Sequence, residues 1–328
     1  MRILEATREN IALAGRALAA GGLVAMPTET VYGLAANAFD EVAVARVFEA
    51  KQRPSFDPLI VHIAELGEAE RVVAHIPPAA RDLMAALWPG PLTLILPKRE
   101  EVPELVTSGL PSVALRLPAS EVARALIQAA GTPLAAPSAN PFGYLSPTTA
   151  QHVAAMLGER LDYILDGGPC PIGVESTVVD LTGEIPLVLR PGGMAMETIA
   201  AVVGRVELFD RSVAQPTSPG QLASHYAPHT ALHLVEAGGL GRARPREGAV
   251  ALCFDASSRR ALAEGSPGLY AQLVCLSESA SLLEAAARLF SLLHDLDRDG
   301  WSEIWAERLP EEGLGRAVND RLWKASEK

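Results

Sequence analysis

The sequence predicts an α/β protein built on a mixed sheet, with a second, smaller α/β unit after it. Three observations carry this. Short apolar runs alternate with amphipathic helical stretches through the first half and later pair as a hairpin, which favours a mixed over a fully parallel sheet. Hydroxyl and cationic residues, among them Thr30, Ser138, Ser176 and Arg190, are expected at or after strand ends, where α/β folds place ligands. Composition then shifts near residue 209 to a segment with Pro216, Pro219, Gly220 and Pro228, after which the alternation resumes. A chain of 328 residues is long enough for two cores.

Residues 5–20 have helical spacing through Ile11, Leu13, Ala14 and Leu18, and Gly21-Gly22 ends the helix. Leu23–Met26 reads as a buried strand broken by Pro27. The loop that follows carries Thr28, Glu29, Thr30 and Tyr32 and closes at Gly33. A helix is predicted over 40–50, with Val42, Val44, Val47 and Phe48 as its apolar positions. Lys51 and Arg53 emerge from it, Pro54 forbids further helix, and Pro58–Ile63 is a second strand. Helices over 65–75 and 77–87 precede the turn Trp88-Pro-Gly-Pro91. Strands over 92–96 and 113–117 follow, the latter with Arg116 on the face opposite Leu115 and Leu117.

Ser120 caps a helix over 119–130. Leu134–Pro137 is a short strand delivering Ser138-Ala-Asn140, and Thr148 or Thr149 caps a helix to Leu157. Tyr163–Asp166 is a strand ending in the loop Gly167–Gly173, ahead of Glu175-Ser176-Thr177. Residues 178–181 and 186–190 form a hairpin around Thr182-Gly183, and Arg190-Pro-Gly-Gly193 leads into a helix and a short strand over 206–208. In the C-terminal part, strands are expected over 231–235, 249–254 and 271–276, and helices over 281–296 and towards Trp323.

The 49% hydrophobic and 20% charged fractions are those of an ordinary soluble globular protein. No apolar run approaches the roughly 20 residues of a membrane span, and the first residues lack a signal peptide's apolar region, so the expected location is cytoplasmic. Three scattered cysteines, Cys170, Cys253 and Cys275, make neither a disulfide framework nor a zinc set. A net charge of −11 opposes nonspecific nucleic-acid binding over the whole surface while leaving a local basic cleft open.

The organising stretch is residues 26–62. Two strand ends, two loops with hydroxyl and cationic groups, and one short helix make an anion pocket there. On spacing alone, a capping loop followed by a solvated cationic helix end fits equally well. Neither a phosphate-binding Gly-x-x-x-x-Gly-Lys-Ser/Thr loop nor a Gly-x-Gly-x-x-Gly fingerprint occurs.

The balance shifts with a longer set of ordered matches: Pro27-Thr-Glu-Thr-Val-Tyr-Gly-Leu34, Lys51-x-Arg-Pro54, Pro58-Leu-Ile-Val-His62, Pro137-Ser-Ala-Asn140, Ser146-Pro-Thr148, Glu175–Asp180 and Leu189-Arg-Pro-Gly192. Together they closely resemble the YrdC-like domain of threonylcarbamoyl-AMP synthases, in the long form with an extra C-terminal domain. The resemblance implies a YrdC-like twisted mixed sheet around a concave active-site cleft over residues 1–208. It also implies a linker or lid over 209–230 and a small Rossmann-like α/β domain over 231–328.

The implied reaction joins L-threonine, bicarbonate and ATP into threonylcarbamoyl-AMP and pyrophosphate, for a tRNA modification beside the anticodon, with Mg²⁺ arriving on the nucleotide. A separate transferase complex would receive the product. Carried over position by position, Thr30, His62, Arg116, Ala136 and Ser176 match threonine positions. Arg53, Asp57, Ser112, Ser138, Ser146, Arg190 and Tyr226 match positions around ATP, and Lys51 with Arg53 forms the implied catalytic cation pair. Asp57 stands where many relatives have Asn, and a carboxylate beside phosphates repels unless protonated or metal-bound. The alternative functions are an RNA-binding YrdC-like module, which leaves the Ser, Thr and His set unexplained, and carbamoyl transfer in hydrogenase maturation. The latter needs zinc-binding cysteine motifs that this sequence lacks.

Overall fold

The computed structural model describes residues 3–209 and 226–327. They form two compact units: residues up to 209, apart from Gly143–Leu145 and Ile172–Val174, and residues from 226 together with those two tripeptides. Residues 210–225, which include most of the expected linker and His225, lie outside the described residues.

The first unit runs β1 (Ile3–Glu5), α1 (Arg8–Ala19), β2 (Val24–Met26), β3 (Gly33–Asn37), α2 (Glu41–Lys51), β4 (Ile60–His62), α3 (Pro78–Leu87), β5 (Leu92–Pro97), α4 (Glu104–Thr107), β6 (Ser112–Arg116), α5 (Glu121–Ala130) and β7 (Leu134–Ala135). It continues with α6 (Ala150–Leu157), β8 (Tyr163–Asp166), β9 (Thr177–Asp180), β10 (Leu187–Arg190), α7 (Met196–Val203) and β11 (Glu207–Leu208). Its eleven strands make one mixed sheet in the order β1-β8-β2-β3-β7-β4-β6-β5-β9-β10-β11. The pair β9 and β10 is the expected antiparallel hairpin, whereas β4 and β6 run parallel.

Helix starts follow local chemistry. Thr7, Asp40, Ser120 and Thr149 each accept a first-turn backbone N–H at the heads of α1, α2, α5 and α6. The expected helix over 65–75 is instead a 3₁₀ turn, Leu66–Arg71. Strands β1 and β3 were not legible in the sequence. Gly-Leu-Ala-Ala-Asn of β3 lacks β-branched residues, and its strand state rests on antiparallel pairing with β2 and β7.

Alternation along the strands divides the core. One face packs Ala25, Leu34, Ala36 and Val61 under α2, α3 and α6, through Val44, Val47, Leu83 and Val153. The other packs Val24, Met26, Ala35 and Leu134 under α1 and α5, through Leu18, Leu126 and Ile127. Beyond Leu134 that second face changes character. Its next apolar cluster, Ile60, Ile95, Ala114, Val178 and Leu189, comes entirely from strands. His62 and Arg116 are register partners two residues past Ile60 and Ala114, so both project from this face.

The second unit contains β12 (Leu232–Val235), β13 (Val250–Asp255), α8 (Ala256–Gly265), β14 (Gln272–Ser277), α9 (Leu282–Arg298), β15 (Ile304–Glu307) and α10 (Gly315–Ser326). Its parallel sheet has the order β12-β15-β13-β14, a Rossmann-like arrangement. Helix α8 and strand β15 were not anticipated. Ile304-Trp-Ala-Glu is too short to announce itself and becomes a strand between β12 and β13.

Candidate active site

The loop after β2 is shaped by one hydroxyl. Thr28 Oγ1 donates to the Val31 carbonyl at 2.6 Å and accepts the Thr30 and Val31 amides at 3.1 and 3.2 Å. That tight turn aims Glu29 and Thr30 at Arg116. The guanidinium donates to Glu29 Oε1 at 2.6 Å, to Thr30 Oγ1 at 3.0 Å and to the Gly90 carbonyl at 3.3 Å. Glu29 and Arg116 are both buried. Burial by itself pushes Glu29 up, but the charge and hydrogen bond of Arg116 outweigh it and hold the carboxyl below its ordinary range. A lone arginine on a strand is commonly a solvated edge residue; here β6 lies inside the sheet, and Arg116 is the anchor of a buried network.

His62 stands beside Arg116 with Nδ1 3.2 Å from the Ile60 carbonyl. Burial, reinforced by Arg116, lowers its pKa to about 3, so the imidazole is neutral at physiological pH. Further along the same face, Thr93 and Ser176 pair their hydroxyls at 2.8 Å. Arg190 Nη2 donates to the Ser176 carbonyl at 2.9 Å and to its Oγ at 3.2 Å. Ser176 was expected after a strand; it stands instead immediately before β9, because the preceding glycine-proline loop returns to the start of a new strand. Gly192 permits this packing, since a Cβ there would lie 2.4 Å from backbone atoms of Glu175, Ser176 and Thr177.

A second cluster gathers around the end of α2. Gln52 caps the helix in the left-handed conformation, φ +53°, which turns the chain sharply between Lys51 and Arg53. Both cations are buried, so the solvated-helix-end alternative is excluded. Lys51 Nζ donates to the carbonyls of Ser138 and Asn140 at 2.5 Å each and to Asn140 Oδ1 at 3.4 Å. Burial and the neighbouring Arg53 push the ammonium pKa well down, while these oxygen acceptors favour the charged form. Lys51 therefore ties α2 to the Ser138–Asn140 segment as well as adding charge. Arg53 donates to the carbonyls of Asp57 and Pro58 at 3.0 and 2.9 Å.

Arg53 Nη2 also lies 2.8 Å from Asp57 Oδ2, yet neither Asp57 oxygen receives an aligned hydrogen bond. The contact is therefore an ion pair without hydrogen-bond geometry. Burial raises Asp57, opposed by the charges of Arg53, Lys51 and Arg190. Ser146 Oγ donates to Glu175 Oε1 at 2.5 Å.

Of the residues singled out in the sequence, Thr30, His62 and Arg116 gather in one cluster, Ser176 and Arg190 form a pair further along the same face, and Lys51, Arg53, Asp57 and Ser138 gather at the end of α2. Electrostatic interaction of Arg190 with Asp57, and of Lys51 with Glu175, relates that pair and its neighbour Glu175 to the α2 cluster. Ala136 is buried, its amide donating to the Ile60 carbonyl at 2.9 Å. Ser112 opens β6 and is half-buried. Tyr226 belongs to the second unit, where it is buried with its ring 5.0 Å from the Arg321 guanidinium and 5.7 Å from Phe290. The sequence reading assigned no role to Glu29, Thr93, Asn140 or Glu175. An acid alone among the hydroxyls of residues 28–30 was the available signal for Glu29.

Among the described residues, no cluster of three or more His, Cys, Asp or Glu side chains is placed to hold a metal. Asp57 faces three cations and Glu175 accepts from Ser146, so neither offers a ready cation site. The cysteines are free and buried, and burial pushes the Cys170 thiol up, away from a reactive thiolate.

Comparison with known proteins agrees with this architecture. Residues 16–192 match a Sua5/YciO/YrdC family model described as telomere recombination, and residues 194–327 match the threonylcarbamoyl-AMP synthase C-terminal domain. The chain is 45% identical to a threonylcarbamoyl-AMP synthase of Pyrococcus abyssi, over 93% of this chain and 91% of that protein. It is 42% identical to one of Bacillus subtilis, over 96% and 92%. A crystal structure of P. abyssi Sua5 complexed with L-threonine superposes with a TM-score of 0.89 at 39% identity, covering 99% of this chain and 98% of that one. The chain belongs to the threonylcarbamoyl-AMP synthase family, in its two-domain form.

Proposed function

We propose that this protein is an L-threonylcarbamoyladenylate synthase, a nucleotidyltransferase that joins L-threonine, bicarbonate and ATP and releases pyrophosphate. The observation that carries the reading is the presence of two kinds of buried polar group in one unit. One, around Arg116, Thr30, His62 and Ser176, has the donors and acceptors to hold a small hydroxy amino acid. The other, Lys51, Arg53 and Arg190, supplies buried positive charge for a triphosphate.

The chemistry asks for positioning and charge neutralisation rather than a nucleophilic side chain. The threonine amine and bicarbonate form a carbamate with loss of water. A carbamate oxygen then attacks the α-phosphorus, the new P–O bond forms, and the bond to the β-phosphate oxygen breaks to release pyrophosphate. Arg116 is our choice for the substrate carboxylate, because a guanidinium grips two oxygens and is already oriented by Glu29. Neutral His62 fits a hydrogen-bonding role in the threonine pocket. Arg53 and Arg190 face the phosphates, and Lys51 holds the Ser138–Asn140 segment while adding to the field.

Within the first unit, Ser112, Ser138, Ser146 and Asp57 complete the proposed nucleotide contacts, and Ala136 the threonine pocket. Mg²⁺ is assigned to the nucleotide's own phosphates, with no ligand from the chain. The product passes to a tRNA-modifying transferase complex in the cytoplasm; no described helix is long and apolar enough to cross a membrane.

The test is incubation with threonine, bicarbonate and α-labelled ATP, followed by chromatography. A labelled adenylate that requires all three substrates is expected. Its absence from a folded preparation refutes the assignment.

A further inference from the structure

We propose that the C-terminal unit carries a second small-molecule site, shaped for a nucleoside, at the carboxyl end of its parallel sheet. From β13 the chain leaves through α8 to β14, on one side; after β15, which lies on the other side of β13, it leaves through α10, which packs on β12. The crevice between the ends of β13 and β15 is therefore a topological switch point, the place where open parallel sheets take ligands. A cavity of about 360 Å³, at the scale of a small-molecule pocket, runs beside it between α8 and the 3₁₀ turn Leu240–Arg242, with Glu307 at its sheet end. This inference is independent of the synthase reading.

The lining specifies the ligand class. Glu307, the last residue of β15, is buried and lines the cavity. Its two oxygens accept the Phe254 amide at 2.9 Å and the Gly238 amide at 2.8 Å. Those bonds hold the carboxylate rigidly at the strand end and leave further lone pairs for a ligand's donors. An acid at a strand end is the group that receives ribose hydroxyls in nucleotide-binding folds of this class. Leu240 and Leu262 offer apolar surface for a base, and Ser257 and Ser258 offer hydroxyls.

Phosphate is disfavoured here. Among the described residues no Lys or Arg lines the cavity, and Asp255 already caps α8 by accepting the Ser258 amide at 2.7 Å. The chemistry selects an uncharged ribose-bearing molecule over a nucleotide.

The test uses the full-length chain and adenosine as probe, titrated calorimetrically with α,β-methylene-ATP saturating the N-terminal site. Saturable binding of one adenosine is expected. It should weaken by at least about tenfold with 2′,3′-dideoxyadenosine, which cannot donate to Glu307, a loss of about 1.4 kcal/mol. Ala261→Trp places a ring in the cavity from an exposed position of α8 and removes no hydrogen bond made by Glu307. It should abolish adenosine binding while synthase turnover and melting temperature stay unchanged. Absence of binding up to the solubility limit of adenosine overturns the proposal. So does equal affinity for the dideoxy compound, or retained binding in a folded Ala261→Trp protein.

Discussion

Removing Glu29 should cost more than an ordinary ion pair would, because its partner cannot reach water. The side chains of Glu29 and Arg116 are 9% and 4% exposed and lie 2.6 Å apart. Glu29→Ala leaves a buried guanidinium with Thr30 Oγ1 and the Gly90 carbonyl as its remaining acceptors. Breaking one side of such a pair costs about 3–5 kcal/mol, against about 0.2–1 kcal/mol for an exposed pair. Urea denaturation of wild type, Glu29→Ala, Arg116→Met and the double variant closes a thermodynamic cycle. The double variant should recover much of the loss, since it removes both charges.

The pH dependence gives an independent check. Glu29 has a folded-state pKa below its unfolded value of 4.5, so its stabilisation is full above that value and is lost as pH falls through the folded pKa. His62, lowered to about 3 from 6.5, adds a slope of the same sign: between those values the unfolded chain binds the extra proton, and stability falls as pH falls. Glu29→Ala should flatten the acid limb below pH 4.5 and leave the His62 component. A loss under about 1 kcal/mol for Glu29→Ala, with an unchanged acid limb, would refute the buried-pair reasoning.

Three further outcomes are expected. Lys51→Ala and Arg53→Ala should each lower turnover by about a hundredfold, and Lys51→Ala should also speed amide exchange over residues 138–142, where it holds the carbonyls of Ser138 and Asn140. Near-normal turnover in both folded variants would remove the phosphate role. Gly192→Ala forces a Cβ to 2.4 Å from the Glu175–Thr177 backbone and should lower stability by about 1–3 kcal/mol and disturb Ser176; unchanged melting and activity would show that the loop yields freely. A pocket holding Thr30 and Ser176 should discriminate modestly against serine, by roughly 1–3 kcal/mol, and more strongly against valine, so a measured preference for valine over serine would misassign it.

Much of the order of the α/β elements, apart from β1, β3, α8 and β15, was readable along the chain because local physics sets it. Proline and glycine punctuate the segments, Ser120 caps a helix, and alternation predicted that Arg116 opposes Leu115 and Leu117. The motifs likewise singled out particular residues as candidates, from Thr30 to Arg190. Tertiary structure decided what those residues touch. Strand β3 exists because β2 and β7 offer it backbone partners, not because Gly-Leu-Ala-Ala-Asn prefers to be extended. Lys51 became a buried tie to Ser138 and Asn140, although its position at a helix end equally fitted a solvated cation. Glu29 and Arg116 are 87 residues apart in sequence. Local propensity carries no information about such a pair, because the free energy that selects it, burial of two charges that satisfy each other, exists only once the sheet has brought them together.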